Sequence, residues 1–175
     1  MQWAGPERHF CFVTDCEPLA NVINGETVLL NPDLLPLFTR VSDKLFGLVE
    51  NGWMTRQPEL NPVQWRRRCF NRIADHIANY TMDIQRSWCQ KFIPPVDNVS
   101  VQKANFVIHT DGGTRANKCS SSAWYVEAHV QLPSGTASFP ICMAGRFIST
   151  PISSFTAEAI ALEEAVDLIW ELLRT

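Results

Sequence analysis

The sequence predicts an α/β domain, and three observations carry that expectation. Two runs of β-branched and aromatic residues, 10–14 and 106–111, read as buried strands, and both lead to an aspartate, Asp15 and Asp111. Two longer stretches, 34–48 and 155–173, carry apolar residues at helical spacing. With 175 residues and 46% hydrophobic content, the chain suits one domain, 1–175, around a single core.

Composition narrows the classes. The net charge of −3 gives no global basic field, so any nucleic-acid binding must come from a local patch. No apolar run approaches the length of a membrane span, and the start lacks a signal-peptide core, so a soluble intracellular domain without membrane contact is expected. The six cysteines are scattered without a C-x-x-C pair, which fits reduced thiols. His9, Cys11 and Cys16 lie close together, but no second half of a zinc site has the usual spacing. There is no Gly-x-Ser-x-Gly elbow, P-loop or dinucleotide fingerprint.

Taken in order, the first strand ends on Asp15, and Glu17-Pro18 opens a short helix that Asn24-Gly25 closes. Asn31-Pro32-Asp33 starts a longer helix with Leu34, Phe38, Val41, Leu45 and Leu48 on one stripe, and Asn51-Gly52 stops it. Pro36 lies early enough to delay or kink its start. Residues 62–65 form a short strand and lead into Arg66, Arg67, Arg68 and Arg72. Such runs are often solvated faces, yet these arginines suit phosphate. Residues 71–79 have helical spacing, with Asp75 in the first turn. Pro94-Pro95 marks a connector, 91–105, between a first segment, 1–90, and a second, 106–175.

In the second segment, Gly112 and Gly113 follow Asp111 and leave room for a backbone, phosphate or sugar. Residues 121–130 and 136–143 pair as a hairpin, with Pro140 at an edge or a bulge. Ser153 and Ser154 cap the last helix, whose buried stripe is Ala161, Ala165, Leu168 or Ile169, and Leu172. Glu158 falls on that stripe, whereas Glu163, Glu164 and Glu171 are surface charges.

Asp15, Asp75, Asp111 and Glu158 thus stand at element ends or on an inward face. Clustered without partners they would repel, and some would become protonated. Two Mg²⁺ ions resolve this, because hard cations prefer carboxylate oxygens and one aspartate can bridge a pair about 3.5–4 Å apart. Such a pair holds a scissile phosphate, activates a water and stabilises the leaving oxygen, with no protein nucleophile needed.

The stretch from Asp111-Gly112-Gly113-Thr114-Arg115 to Thr156-Ala157-Glu158-Ala159-Ile160-Ala161-Leu162 resembles the first half of a ribonuclease H domain. There, too, a strand ending in Asp-Gly, a hairpin and a helix bearing Ala-Glu follow one another. Phe12-Val13-Thr14-Asp15-Cys16 is similar to that family's fourth strand. Residues 68–79 are similar to its Arg-x-x-Asn-x-x-Ala-Asp-x-Leu-Ala signature, closest to the plant and retroelement type. The two halves cover nearly the whole chain in exchanged order. Either the chain is a circular permutant whose ends meet, with the Pro94-Pro95 connector joining the old termini, or it joins halves of two tandem copies. A single-chain permutant is expected to bring Asp15 and Asp111 onto one sheet.

The resemblance implies a ribonuclease H-like, circularly permuted α/β fold, a mixed sheet of about five strands flanked by helices. It implies hydrolysis of the RNA strand of an RNA–DNA hybrid with two Mg²⁺ ions, or Mn²⁺ in their place. Asp111 would bridge both ions, Glu158 and Asp15 would hold one, and Asp75 the other. Gly112 and Gly113 would admit backbone amides to RNA 2′-hydroxyls. Arg66, Arg67, Arg68 and Arg72 would meet phosphates, and Arg115, Asn117 and Ser153 would add nucleic-acid contacts. Cys69 and Phe70 stand where many members have a loop histidine that helps product leave, which implies slow turnover. The negative charge implies help from neighbouring domains of a larger polypeptide, and either a monomer or a domain-swapped dimer is open. Two rival readings are a non-catalytic binding or scaffolding module and a DNA-acting two-metal nuclease on the same fold.

Overall fold

In the computed structural model, which describes residues 8–54, 61–95, 101–116 and 118–174, the first strand is β1 (Arg8–Thr14). Glu17-Pro18 opens α1 (Glu17–Ile23), and Asn24 and then Gly25, at φ +77°, end it. The next helix starts later than its Asn31-Pro32-Asp33 signal. Asn31 caps a single 3-10 turn, Pro32–Leu34, by accepting the Asp33 N–H at 3.0 Å. Helix α2 (Leu35–Glu50) follows, with Pro36 tolerated in its first turn. It buries Phe38, Val41, Leu45 and Leu48 as the stripe requires. After β2 (Val63–Trp65), helix α3 (Arg72–Ile84) outruns the expected end at residue 79 and buries Thr81 and Met82.

The expected connector is shorter than 91–105. Strand β3 (Trp88–Lys91) occupies its start and β4 (Lys103–Arg115) its end. Strands β5 (Cys119–Leu132) and β6 (Gly135–Ile148) form a longer hairpin than the 121–130 and 136–143 pairing. Its bulge falls at Pro140: Val126 faces Cys142, but the next residue, Glu127, faces Pro140. The sheet therefore has six strands, not about five, because β3 joins β6 at an edge. The polar Trp-Cys-Gln-Lys sequence of β3 lacks the apolar alternation that marks a strand.

The strand order is β2-β1-β4-β5-β6-β3. Strand β1 runs parallel to both β2 and β4, and the remaining pairs are antiparallel. Strands β1 and β4, about ninety residues apart in the chain, are thus neighbours inside the sheet. Their register, Arg8 opposite Ala104 through Val13 opposite His109, carries Asp15 and Asp111 out side by side.

Helix α4 (Ser154–Arg174) packs over β4 and β5, with α2 against it. Beyond its first two turns, its buried positions are Ala161, Leu162, Ala165, Val166 and Ile169. Continuing that 3.6-residue stripe brings Leu173 to the core edge, so Leu172, expected inside, is 42% exposed. Helix α3 covers the other face, as alternation along β4 shows: Gly112 lies against α4 and Gly113 against α3. The room these glycines leave is filled by helices rather than left for a sugar or phosphate. Among the described residues, no helix is long and apolar enough to cross a membrane. All six cysteines are free thiols.

A Cβ at Gly112 would fall 2.1 Å from the Glu158 nitrogen and 2.2 Å from the Ala157 carbonyl carbon, both rigid backbone. At Gly113 it would meet Met82 Cε at 2.6 Å, the movable end of a side chain. Urea unfolding of Gly112→Ala should therefore show a loss of about 3 kcal/mol or more, against about 1 kcal/mol for Gly113→Ala. Equal, small losses would contradict the close approach of α4 to β4.

Candidate metal centre

Three elements deliver three carboxylates to one point. Asp15 follows the end of β1, Asp111 lies in β4, and Glu158 lies near the start of α4. That start is fixed by Ser153, whose hydroxyl accepts the Thr156 N–H at 3.0 Å and whose carbonyl accepts the Ala157 N–H at 3.0 Å. The Ser153 hydroxyl, expected at nucleic acid, thus serves as a helix cap. Carboxylate oxygens of Asp15, Asp111 and Glu158 lie within 4.8 Å of one another. Asp111 is 2% exposed and Glu158 7%.

Like charges this close and this dry favour protons. Burial, then the Asp15 carboxylate, raises the pKa of Asp111, while its hydrogen bond with Glu158 pulls the other way. Burial, then Asp111 and Asp15, raises that of Glu158, against a lowering hydrogen bond from the Gly112 amide. Both shifts run the same way, so the Asp111–Glu158 pair favours holding a proton between its two carboxyls. Cys16 lies near the same carboxylates. Burial above all pushes its thiol up to about 11, so it stays protonated and offers no nucleophile.

A polar frame holds this arrangement. Buried Thr14 donates to Glu158 Oε2 at 3.4 Å and accepts the Cys16 N–H at 3.0 Å. Asn71, 1% exposed at the N-terminus of α3, donates through Nδ2 to Asp15 Oδ1 at 3.1 Å and to the Thr110 carbonyl at 2.9 Å. Its Oδ1 faces His109 Nδ1 at 3.3 Å. An amide oxygen only accepts, so this network places the imidazole proton on Nδ1. Burial lowers the His109 pKa and keeps the ring neutral. Of these supporting residues only Asn71 carried a sequence signal, as the asparagine of the Arg-x-x-Asn-x-x-Ala-Asp pattern. Thr14 and His109 carried none.

The fourth carboxylate, Asp75, stands outside that cluster and is joined to Asp15 through Arg68. Asp75, in the first turn of α3, is reached by Arg68 Nη2 at 2.6 Å and Nε at 3.1 Å, while Nε also lies 3.5 Å from Asp15 Oδ2. The remaining arginines are exposed near the start of α3: Arg66 donates to the Trp65 carbonyl and to Gln64, Arg67 precedes the 3-10 turn Arg68–Phe70, and Arg72 opens the helix. Arg115 is carried away from the centre. It lies four residues beyond Asp111, about 13 Å along the strand, and pairs with Asp83 at 2.6 Å. Asn117 lies outside the described residues.

Three carboxylate oxygens converging from three elements suit a hard divalent cation better than a soft or redox metal. The set fits a metal ion on geometry and on donor type.

Raised carboxylate pKa values mean that the folded chain holds protons the unfolded chain has released. Stability without metal is then fullest in the acid part of the folded range and is lost as pH rises through the raised values. Thermal unfolding in a chelator from about pH 5 to about pH 9 should show this fall. Asp111→Asn should flatten it and raise neutral-pH stability by about 1–3 kcal/mol; a pH-independent midpoint would contradict the burial of both groups. Asn71→Ala should cost about 1–3 kcal/mol in chemical unfolding, because the Thr110 carbonyl loses its buried donor.

Comparison with protein-family models, with curated proteins and with solved structures finds no match to this chain.

Proposed function

We propose that this chain is a divalent-cation-dependent nuclease of the ribonuclease H type, with its halves in permuted order, that hydrolyses the RNA strand of an RNA–DNA hybrid. The observation that carries this is the convergence of Asp15, Asp111 and Glu158, with Asp75 one arginine away. These are the four carboxylates that the motif resemblance selects, and they come from separate strands and helices. The direct pairing of β1 with β4 supports a single-chain permuted domain over a half-site awaiting a second copy.

Asp15, Asp111 and Glu158 would hold one Mg²⁺, and Asp111 with Asp75 a second, Mn²⁺ serving in their place. Such ions supply the positive charge that polarises a phosphodiester, activates a water and balances charge on the leaving oxygen. The chain's own residues set the conditions. Asn71 fixes the Asp15 carboxylate, Thr14 steadies Glu158, and Asp111 and Glu158 must release the proton they share before both can act as ligands. Loading is therefore favoured as pH rises. Arg66, Arg67 and Arg72, exposed beside Asp75, would meet backbone phosphates and give salt-dependent affinity. Exposed Cys69 and Phe70 bring no imidazole to speed product departure.

The test is cleavage of a labelled RNA–DNA hybrid in Mg²⁺ and in Mn²⁺, beside single-stranded RNA, duplex DNA and the Asp111→Asn variant. Cutting confined to the hybrid's RNA strand, and abolished by Asp111→Asn, is expected. Cutting of duplex DNA would replace the substrate assignment. A folded, metal-binding protein that cuts nothing would leave a binding module.

A further inference from the structure

Among the described residues, Arg68 alone forms ion pairs with the carboxylates of the candidate metal centre. Its Nε and Nη2 converge on a single oxygen, Asp75 Oδ1, while Nε also approaches Asp15 Oδ2. A guanidinium that locks a carboxylate sets two nitrogens on two oxygens. This one straddles two aspartates instead, and Asp15, Asp75 and Asp111 all act on it electrostatically. The Arg68 side chain is 71% exposed, against 11% for Asp15 and 29% for Asp75. It rides on a 3-10 turn, Arg68–Phe70, whose N-cap makes no side-chain hydrogen bond. Exposed pairs of this kind are weak and give way readily. A hard divalent ion, in contrast, is suited to the same oxygens.

We propose that Arg68 is a built-in placeholder: its guanidinium bridges Asp75 and Asp15 until a divalent cation displaces it, and the released side chain turns outward to a substrate phosphate. This rests on the carboxylates being a divalent-cation centre. Two consequences follow. Without a cation, Asp75 is spared an uncompensated charge beside Asp15 and Asp111. With a cation, a phosphate-binding arm is released at the mouth of the centre, so loading and substrate engagement reinforce each other. The placeholder also competes with the cation, so removing it should tighten metal binding. An arginine that merely oriented the ligands would do the opposite.

Two measurements, both without nucleic acid, test this. In the first, Mn²⁺ is titrated calorimetrically into the wild-type chain, Arg68→Gln, and Arg86→Gln, which removes the same charge from an exposed position outside the centre. Arg68→Gln should bind Mn²⁺ about threefold to tenfold more tightly than wild type, and Arg86→Gln should match wild type. In the second, the Arg68 Nε–H resonance of the wild-type chain is followed by NMR as Mg²⁺ is added. It should move to the position of a solvent-exposed arginine. Equal or weaker binding by Arg68→Gln, or an Nε–H signal unmoved by saturating Mg²⁺, would overturn the placeholder while leaving the metal centre intact. A wild-type chain that binds no Mn²⁺ would remove the centre itself, and the placeholder with it.

Discussion

The whole arrangement depends on holding two buried carboxylates against a third within a few ångströms, an arrangement that electrostatics opposes. Each major feature of the fold contributes to enforcing it. Parallel pairing of β1 with β4 sets Asp15 beside Asp111. The missing side chain of Gly112 lets the backbone of α4 close onto β4, which brings Glu158 in. Burial of Ala157, Ala161, Leu162 and Ala165 anchors that helix along the sheet. The apolar core is thus the scaffold against which the carboxylate repulsion is sustained.

Three kinds of positive partner can relieve that repulsion, and they differ in strength. A proton neutralises Glu158 and stabilises its contact with Asp111, but at the expense of a ligand. A guanidinium compensates Asp75 and Asp15 from the exposed side. A divalent cation can answer several carboxylates at once, provided they are ionised and correctly turned. The Asn71 amide and Thr14 hydroxyl supply that orientation in advance, each fixing one carboxylate by a hydrogen bond. Strain of this kind, kept at one point of an otherwise well-packed domain, is what a functional site looks like energetically.

Much of the architecture was legible because its signals are local. The strand ending on Asp15, the Glu17-Pro18 helix start, the α2 stripe and the Pro140 bulge each follow from neighbouring residues. Asp15, Asp111 and Glu158 were legible as charges at element ends. Hidden features depend on distant parts of the chain. Strand β3 is polar and gains its place only from the β6 edge. The purpose of Gly112 and Gly113 becomes visible only when α4 and α3 lie across them. Arg68 read as part of a phosphate-binding run, yet the turn that precedes α3 aims it at two aspartates. Thr14 acquires its role only from the docking of α4 and His109 only from that of α3, onto strands held in register by the β1–β4 pairing.

As a proposed centre for two divalent ions, these carboxylates should reveal both ions spectroscopically. Electron paramagnetic resonance of metal-free protein titrated with Mn²⁺ tests this directly. Two ions bound about 4 Å apart or closer should couple magnetically, broadening the spectrum as the second equivalent binds. A single uncoupled Mn²⁺ would limit the centre to Asp15, Asp111 and Glu158. The free-ion spectrum persisting at about millimolar Mn²⁺ would contradict the account outright.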